Sequence, residues 1–132
     1  MCIGCSAKAE ERILRETNCW NELAYYLDNK VSEVNLWLVG PEMSGCENNV
    51  NNDANKQINN NNFVFNTNIY KGTSMDFFRK NSNLLNETTI VIGLNCGFGN
   101  FENPLPKRYD LLFEWLNDLY FLTATKLLLL FT

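Results

Sequence analysis

Three stretches of the chain are apolar almost without interruption: Val34–Val39, Thr89–Leu94 and Lys126–Phe131. Each is the length of a strand, and an unbroken apolar run suits a strand covered on both faces, as in a parallel sheet. Between them the period changes. Ile13, Leu14, Thr17, Trp20, Leu23, Ala24 and Leu27 recur at steps of three and four, the spacing of one helix face. Ser6 is placed to cap that helix through its side-chain oxygen, and Asn18 to cap a second one if the segment breaks there. Leu111, Leu112, Trp115, Leu116 and Leu119 predict another helix, with Pro106 near its start. Thr73-Ser74 opens a short helix carrying Met75, Phe77 and Phe78, and Met1-Cys2-Ile3 reads as the tail of a first strand ending at Gly4.

Phe63, Phe65, Thr67 and Ile69 alternate with Val64, Asn66 and Asn68, a weak period-two strand expected at a sheet edge. No helix is predicted between Val39 and Phe63. A parallel crossover normally contains one, so this strand is expected to run antiparallel. Residues 44–62 are instead crowded with Asn, a low-complexity insertion expected to be a loose or disordered loop.

Apolar runs alternating with helical patterns predict one α/β domain over residues 1–132. The expected architecture is a Rossmann-like three-layer sandwich: a mostly parallel five-stranded sheet with one possible antiparallel edge strand. The first and last predicted strands stop at the chain ends, the pattern expected of a piece of a longer protein. Ile92→Ala would then cut into the core, where Leu38, Val39, Ile90, Val91, Leu128, Leu129 and Trp115 are also expected.

Ligands of open α/β sheets bind beyond the carboxyl ends of the strands. Gly4, Ser6, Glu42, Asn95, Gly97 and Asn100 all fall at or just past such ends, so they are expected to share one rim. The amides and the carboxylate there suit recognition, and the glycines allow close approach of a ligand or a partner loop. An alternative is that they only shape and tie the turns. Gly97-Phe98-Gly99 is half of a dinucleotide fingerprint whose remainder is missing. Cys2-Ile3-Gly4-Cys5 is a C-x-x-C pair with no second pair at zinc spacing.

Composition narrows the chemistry. Histidine is absent, which removes Ser-His and Cys-His pairs and the commonest general base. No catalytic residue, cofactor or metal is therefore assigned. The eleven Lys and Arg are scattered in a chain of net charge −4, so no footprint for nucleic acid or an anionic membrane is expected. Five cysteines without regular spacing suit a reducing, intracellular compartment, cytoplasmic or mitochondrial.

The stretches Ile3-Gly4-Cys5-Ser6-Ala7-Lys8-Ala9-Glu10, Leu38-Val39-Gly40-Pro41-Glu42 and Gly93-Leu94-Asn95-Cys96-Gly97-Phe98-Gly99, followed by Trp115 and Leu130-Phe131-Thr132, form an ordered set. In order and spacing they resemble the C-terminal domain of mitochondrial splicing suppressor proteins, found also in MYND-type zinc-finger proteins. The resemblance covers nearly the whole chain apart from the Asn-rich insertion. It departs at Tyr70-Lys71-Gly72, where the family often has Tyr-His, and no MYND cysteine-histidine cluster is present. It implies a Rossmann-like domain whose molecular activity is undefined. Two expectations follow: a non-catalytic interaction or scaffold domain with a protein partner, or a degenerate methyltransferase-like domain binding a nucleotide-derived small molecule. The single glycine in Ile3-Gly4-Cys5-Ser6-Ala7 favours the first.

Overall fold

The computed structural model describes residues 1–27, 31–44, 58–60, 63–94, 96 and 109–131. Strand β1 (Cys2–Ile3) is followed by a π-helical turn (Ala7–Glu11), helix α1 (Arg12–Glu16) and helix α2 (Cys19–Leu27). Strands β2 (Glu33–Gly40), β3 (Ile58–Asn60) and β4 (Phe63–Lys71) come next. Helix α3 (Ser74–Lys80), strand β5 (Ile90–Gly93), helix α4 (Tyr109–Ala124) and strand β6 (Leu128–Phe131) complete the chain.

The sheet order is β3-β4-β2-β1-β5-β6. β4, β2, β1, β5 and β6 are mutually parallel, and β3 runs antiparallel along the outer edge of β4. With β3 set aside, the parallel strands follow the order 3-2-1-4-5 of a doubly wound α/β sheet. The winding reverses between β1 and β5, and the carboxyl ends on either side of that reversal are where such a sheet opens a crevice.

Two expectations are corrected here. β4 was expected to run antiparallel at an edge, yet it pairs in parallel with β2 over eight positions, from Glu33↔Val64 to Gly40↔Lys71. A parallel crossover needs a dozen or more residues of connection, and a helix is only the usual way to supply them. Residues 41–62 supply that length. The antiparallel strand lies instead inside the Asn-rich insertion, where Ile58, Asn59 and Asn60 pair with Phe65, Val64 and Phe63. An edge strand is held by backbone hydrogen bonds, so an Asn-rich sequence can form one without an apolar face. Residues 45–57, 61 and 62 lie outside the described residues.

The core divides by the two-residue period of the strands. Leu36 and Leu38 of β2 face α1 and α2, together with Cys2, Phe63, Phe65, Ile69 and Leu14. Val39 and the half-buried Trp37 face α3 and α4, with Ile3, Val91, Phe77, Phe78 and Leu122. Helices thus cover both faces of the sheet, giving three layers. Leu38, Val39 and Val91 are fully buried, whereas Ile92, Leu129 and Trp115 are half-buried. Ile90 and Leu128 were expected inside but are 44% and 56% exposed. They pair in register at the start of β5 and β6, and Leu130, two residues along, is also exposed. No described helix covers that corner of the sheet.

The long helical pattern breaks at Thr17, whose hydroxyl accepts from the Cys19 amide at 3.2 Å. Its apolar stripe is only partly used: Leu14 is buried, while Ile13 and Leu23 remain over a third exposed. Ser6 opens the first turn through its backbone N–H, which donates to Glu10 Oε2 at 2.9 Å; its side chain makes no cap. The reach resembles half of a capping box, made one position further along the chain. Among the described residues, no helix is long and apolar enough to cross a membrane.

Candidate functional site

The turns leaving β1, β2 and β4 are laced together by backbone. Cys5 N donates to Val39 O at 3.1 Å, and Ala7 N donates to Glu42 O at 3.1 Å. Gly72 N donates to Gly40 O at 3.1 Å, and Ser6 and Glu42 form a parallel bridge. This lacing forms the floor of a cavity of about 640 Å³ at the carboxyl edge of the sheet. Gly4, Ser6 and Glu42 line it, together with Cys96 and Trp115. Asn95, Gly97 and Asn100 lie outside the described residues.

Two glycines of the rim serve internal packing. Gly4 takes φ +71°, and a Cβ there would meet Cys96 Sγ at 2.9 Å and the Trp115 indole at 3.0 Å. Gly40 has the carbonyl oxygen of Cys5 where its side chain would stand, at 1.8 Å. The backbone approach expected of a ligand is therefore made by the protein itself at both positions.

The sequence reading missed Thr73, Ser74 and Asp118, which also line the cavity. Thr73 caps α3, its hydroxyl accepting from Asp76 N at 3.2 Å. Asp118 reaches across from α4 and accepts from Ser74 N at 3.2 Å and Met75 N at 2.9 Å. This carboxylate, only 6% exposed, satisfies amides that the first turn of a helix leaves unpaired. Its signal was present, since Asp118 follows Trp115 by three residues and precedes Leu122 by four on the inward face of α4. Thr73 and Ser74 were hidden by the assumed direction of β4, which put its carboxyl end on the wrong side of the sheet.

The lining includes two thiols, Cys5 and Cys96, and the Ser74 hydroxyl. Burial pushes the Cys5 thiol far above the ordinary thiol range, reinforced by the charges of Cys2 and Glu10 against a hydrogen bond with Val39. Burial also raises Cys96, to about 11, with Glu10 and Cys2 adding to it. Both stay protonated at neutral pH, and a thiol is a poor nucleophile beside a thiolate. Cys5 Sγ donates to Cys2 O at 3.4 Å, so the C-x-x-C pair is spent on a local contact. The Ser74 hydroxyl is buried and, among the described residues, has no hydrogen-bond partner, so none of them is engaged with it as a base. No group of three potential metal ligands occurs among the described residues.

Just outside the cavity, Glu11 locks the exit of β2 onto the first helix. It accepts from Ser44 N at 3.0 Å, from Ser44 Oγ, and from Arg15 Nε at 2.9 Å, while only 2% exposed. Burial raises its pKa, but the Ser44 hydrogen bonds and Arg15 outweigh burial, and the net displacement is downward. A carboxyl depressed by folding stabilises the protein above its unfolded pKa and loses that contribution as pH falls through its folded pKa. Glu11→Gln should therefore cost on the order of 2 kcal/mol at neutral pH, the scale of a hydrogen bond to a charged group. The gap to the parent should close on acidification below the ordinary carboxylate range. Urea midpoints for both proteins at pH 7 and pH 3 test this; a gap that persists at pH 3 would remove Glu11 as the titrating group.

Compared with known proteins, the chain matches no family model, no curated sequence and no solved structure.

Proposed function

We propose that the chain is a non-catalytic, intracellular interaction domain of the splicing-suppressor C-terminal-like family that receives part of a protein partner in its rim cleft. The observation that carries this reading is the fate of the two turn glycines. In a dinucleotide or methyltransferase site, the glycine after the first strand lets the cofactor approach the backbone. Here Gly4 faces Trp115 and Cys96, and Gly40 faces the Cys5 carbonyl. The protonated thiols and the unactivated Ser74 hydroxyl support recognition over catalysis.

A second reading, a nucleotide-derived small ligand, draws on one observation. The cavity sits at the carboxyl edge beside the strand-order reversal, and its volume of about 640 Å³ falls within the roughly 300–1,000 Å³ of small-molecule sites.

Two measurements separate them. A thermal-shift screen with ATP, NAD and S-adenosylmethionine should leave the melting temperature unmoved. A bound ligand at a hundred times its Kd would add about 2.7 kcal/mol, a rise of several degrees that would install the second reading. A photoreactive side chain in place of the exposed Pro41 should trap a protein partner in cells. The same group at the exposed Glu87, before β5 and so at the opposite edge of the sheet, should not. Equal capture at both positions would overturn the cleft as the binding face.

A further inference from the structure

We infer that the rim cleft is a pocket for an organic cation, an alkylammonium or guanidinium group; the inference rests on reading the cleft as a recognition site and assigns the chemistry of what it recognises. Two carboxylates line the cavity, Glu42 at the surface and Asp118 in the interior, and no Lys or Arg is among its described lining residues. Asp118 accepts one backbone N–H on each oxygen. A carboxylate offers about four acceptor positions, so both oxygens keep capacity for a further donor.

A second, independent observation lies beside it. Ser74 is 3% exposed, lines the cavity and carries an Oγ with no hydrogen-bond partner. Buried hydroxyls are almost always satisfied, by protein or by water, so this one is open to a donor or an acceptor. The neighbouring Asp118 carboxylate decides which. It repels an anionic acceptor and attracts a cationic donor, leaving the Ser74 lone pairs to accept from the same N–H group. The Trp115 indole lines the cavity beside Gly4, and indole is the best aromatic partner for a cation. The net charge of −4 adds a weak long-range attraction of the same sign.

The cation has two possible sources: a free small amine, or the Lys or Arg side chain of a protein partner. The test is a ¹⁵N NMR titration of the intact chain with n-butylammonium chloride, n-butylguanidinium chloride and sodium butyrate at constant ionic strength. Two capped tripeptides, Gly-Arg-Gly and Gly-Glu-Gly, complete the set. Both cations should shift the Trp115 indole N–H and the Ser74 and Glu42 amides saturably, and butyrate and the Glu peptide should not. Raising salt from 50 to 500 mM should weaken cation binding about threefold or more, since a partly exposed charge is screened. Glu42→Gln, at an exposed side chain, should leave the spectrum dispersed and weaken binding about threefold; Asp118→Asn should weaken it about tenfold. An Arg peptide that binds about tenfold more tightly than butylguanidinium assigns the pocket to a protein side chain, and equal affinity assigns it to a free amine. Equal shifts with butyrate, or no saturable shift with either cation in a folded protein, would overturn the inference. A partner that docks at the cleft with no salt dependence and no response to Glu42→Gln would sink the cation assignment alone. Adenine nucleotides bound in the cleft would instead sink the interaction-domain reading beneath it.

Discussion

Phe77→Ala should remove about 3–5 kcal/mol of folding free energy, the cost of deleting a fully buried phenylalanine. Phe77 has no exposed surface and stands at the centre of an aromatic cluster between the sheet and α4. Its ring lies 5.0 Å from that of Trp37, 5.2 Å from Tyr70 and 5.5 Å from Phe78, centroid to centroid. The Tyr70 and Phe78 pairs are edge-to-face, a geometry that adds to the area term. The neighbours belong to β2, β4 and α3, so the cavity has rigid walls on several sides and cannot collapse cheaply. Domains of this kind have about 5–15 kcal/mol of stability in total, so the variant should populate the unfolded state measurably. Urea unfolding reads the effect as a lowered midpoint at unchanged slope. A loss under about 1 kcal/mol would mean that Phe77 does not pack inside this layer.

Much of this layer was legible before any coordinates. The runs Val34–Val39, Thr89–Leu94 and Lys126–Phe131 mark β2, β5 and β6, because continuous apolarity over strand length has few other solutions. What the runs did not contain was their covering. Ile90 and Leu128 are as apolar as Val91, yet they are exposed while Val91 is buried. The difference is whether a neighbouring layer reaches them, which is a property of the assembled fold. The direction of β4 was lost for a related reason. Direction follows from how far a connection can reach, and the stretch between β2 and β4 is long enough for a parallel return.

The site was legible in outline only. Gly4, Ser6 and Glu42 line one cavity, while Thr73 and Ser74 stand where α3 begins, a placement that depended on β4. The glycines carried the most misleading signal. A glycine at a strand end announces close approach, and the sequence cannot say whether a ligand or the chain itself makes it.

That ambiguity gives the second large effect. Gly40→Ala should destabilise the fold by on the order of 3 kcal/mol or more, at the upper end of overpacking costs. The added methyl would sit 1.8 Å from the Cys5 carbonyl oxygen and 2.8 Å from its carbon. Both atoms are backbone, so relief requires the end of β2 to part from the turn after β1. Parting them strains the bond from Cys5 N to Val39 O, and with it the bond from Ala7 N to Glu42 O that holds the next turn. Gly4→Ala is the informative comparison. Its methyl would meet the Cys96 Sγ and the Trp115 ring, which are side chains and can shift, and the positive φ adds about 1–2 kcal/mol. The expected order is therefore Gly40→Ala well above Gly4→Ala, read from urea midpoints. The two variants should also differ at the rim. Gly4→Ala displaces Trp115 and Cys96, two lining residues of the cavity, and should weaken binding at the proposed site in a protein that remains folded. Gly40→Ala should lose binding only in step with loss of fold. A Gly40→Ala variant as stable as the parent would show that β2 and the first turn do not meet, and the floor of the cleft would have to be redrawn.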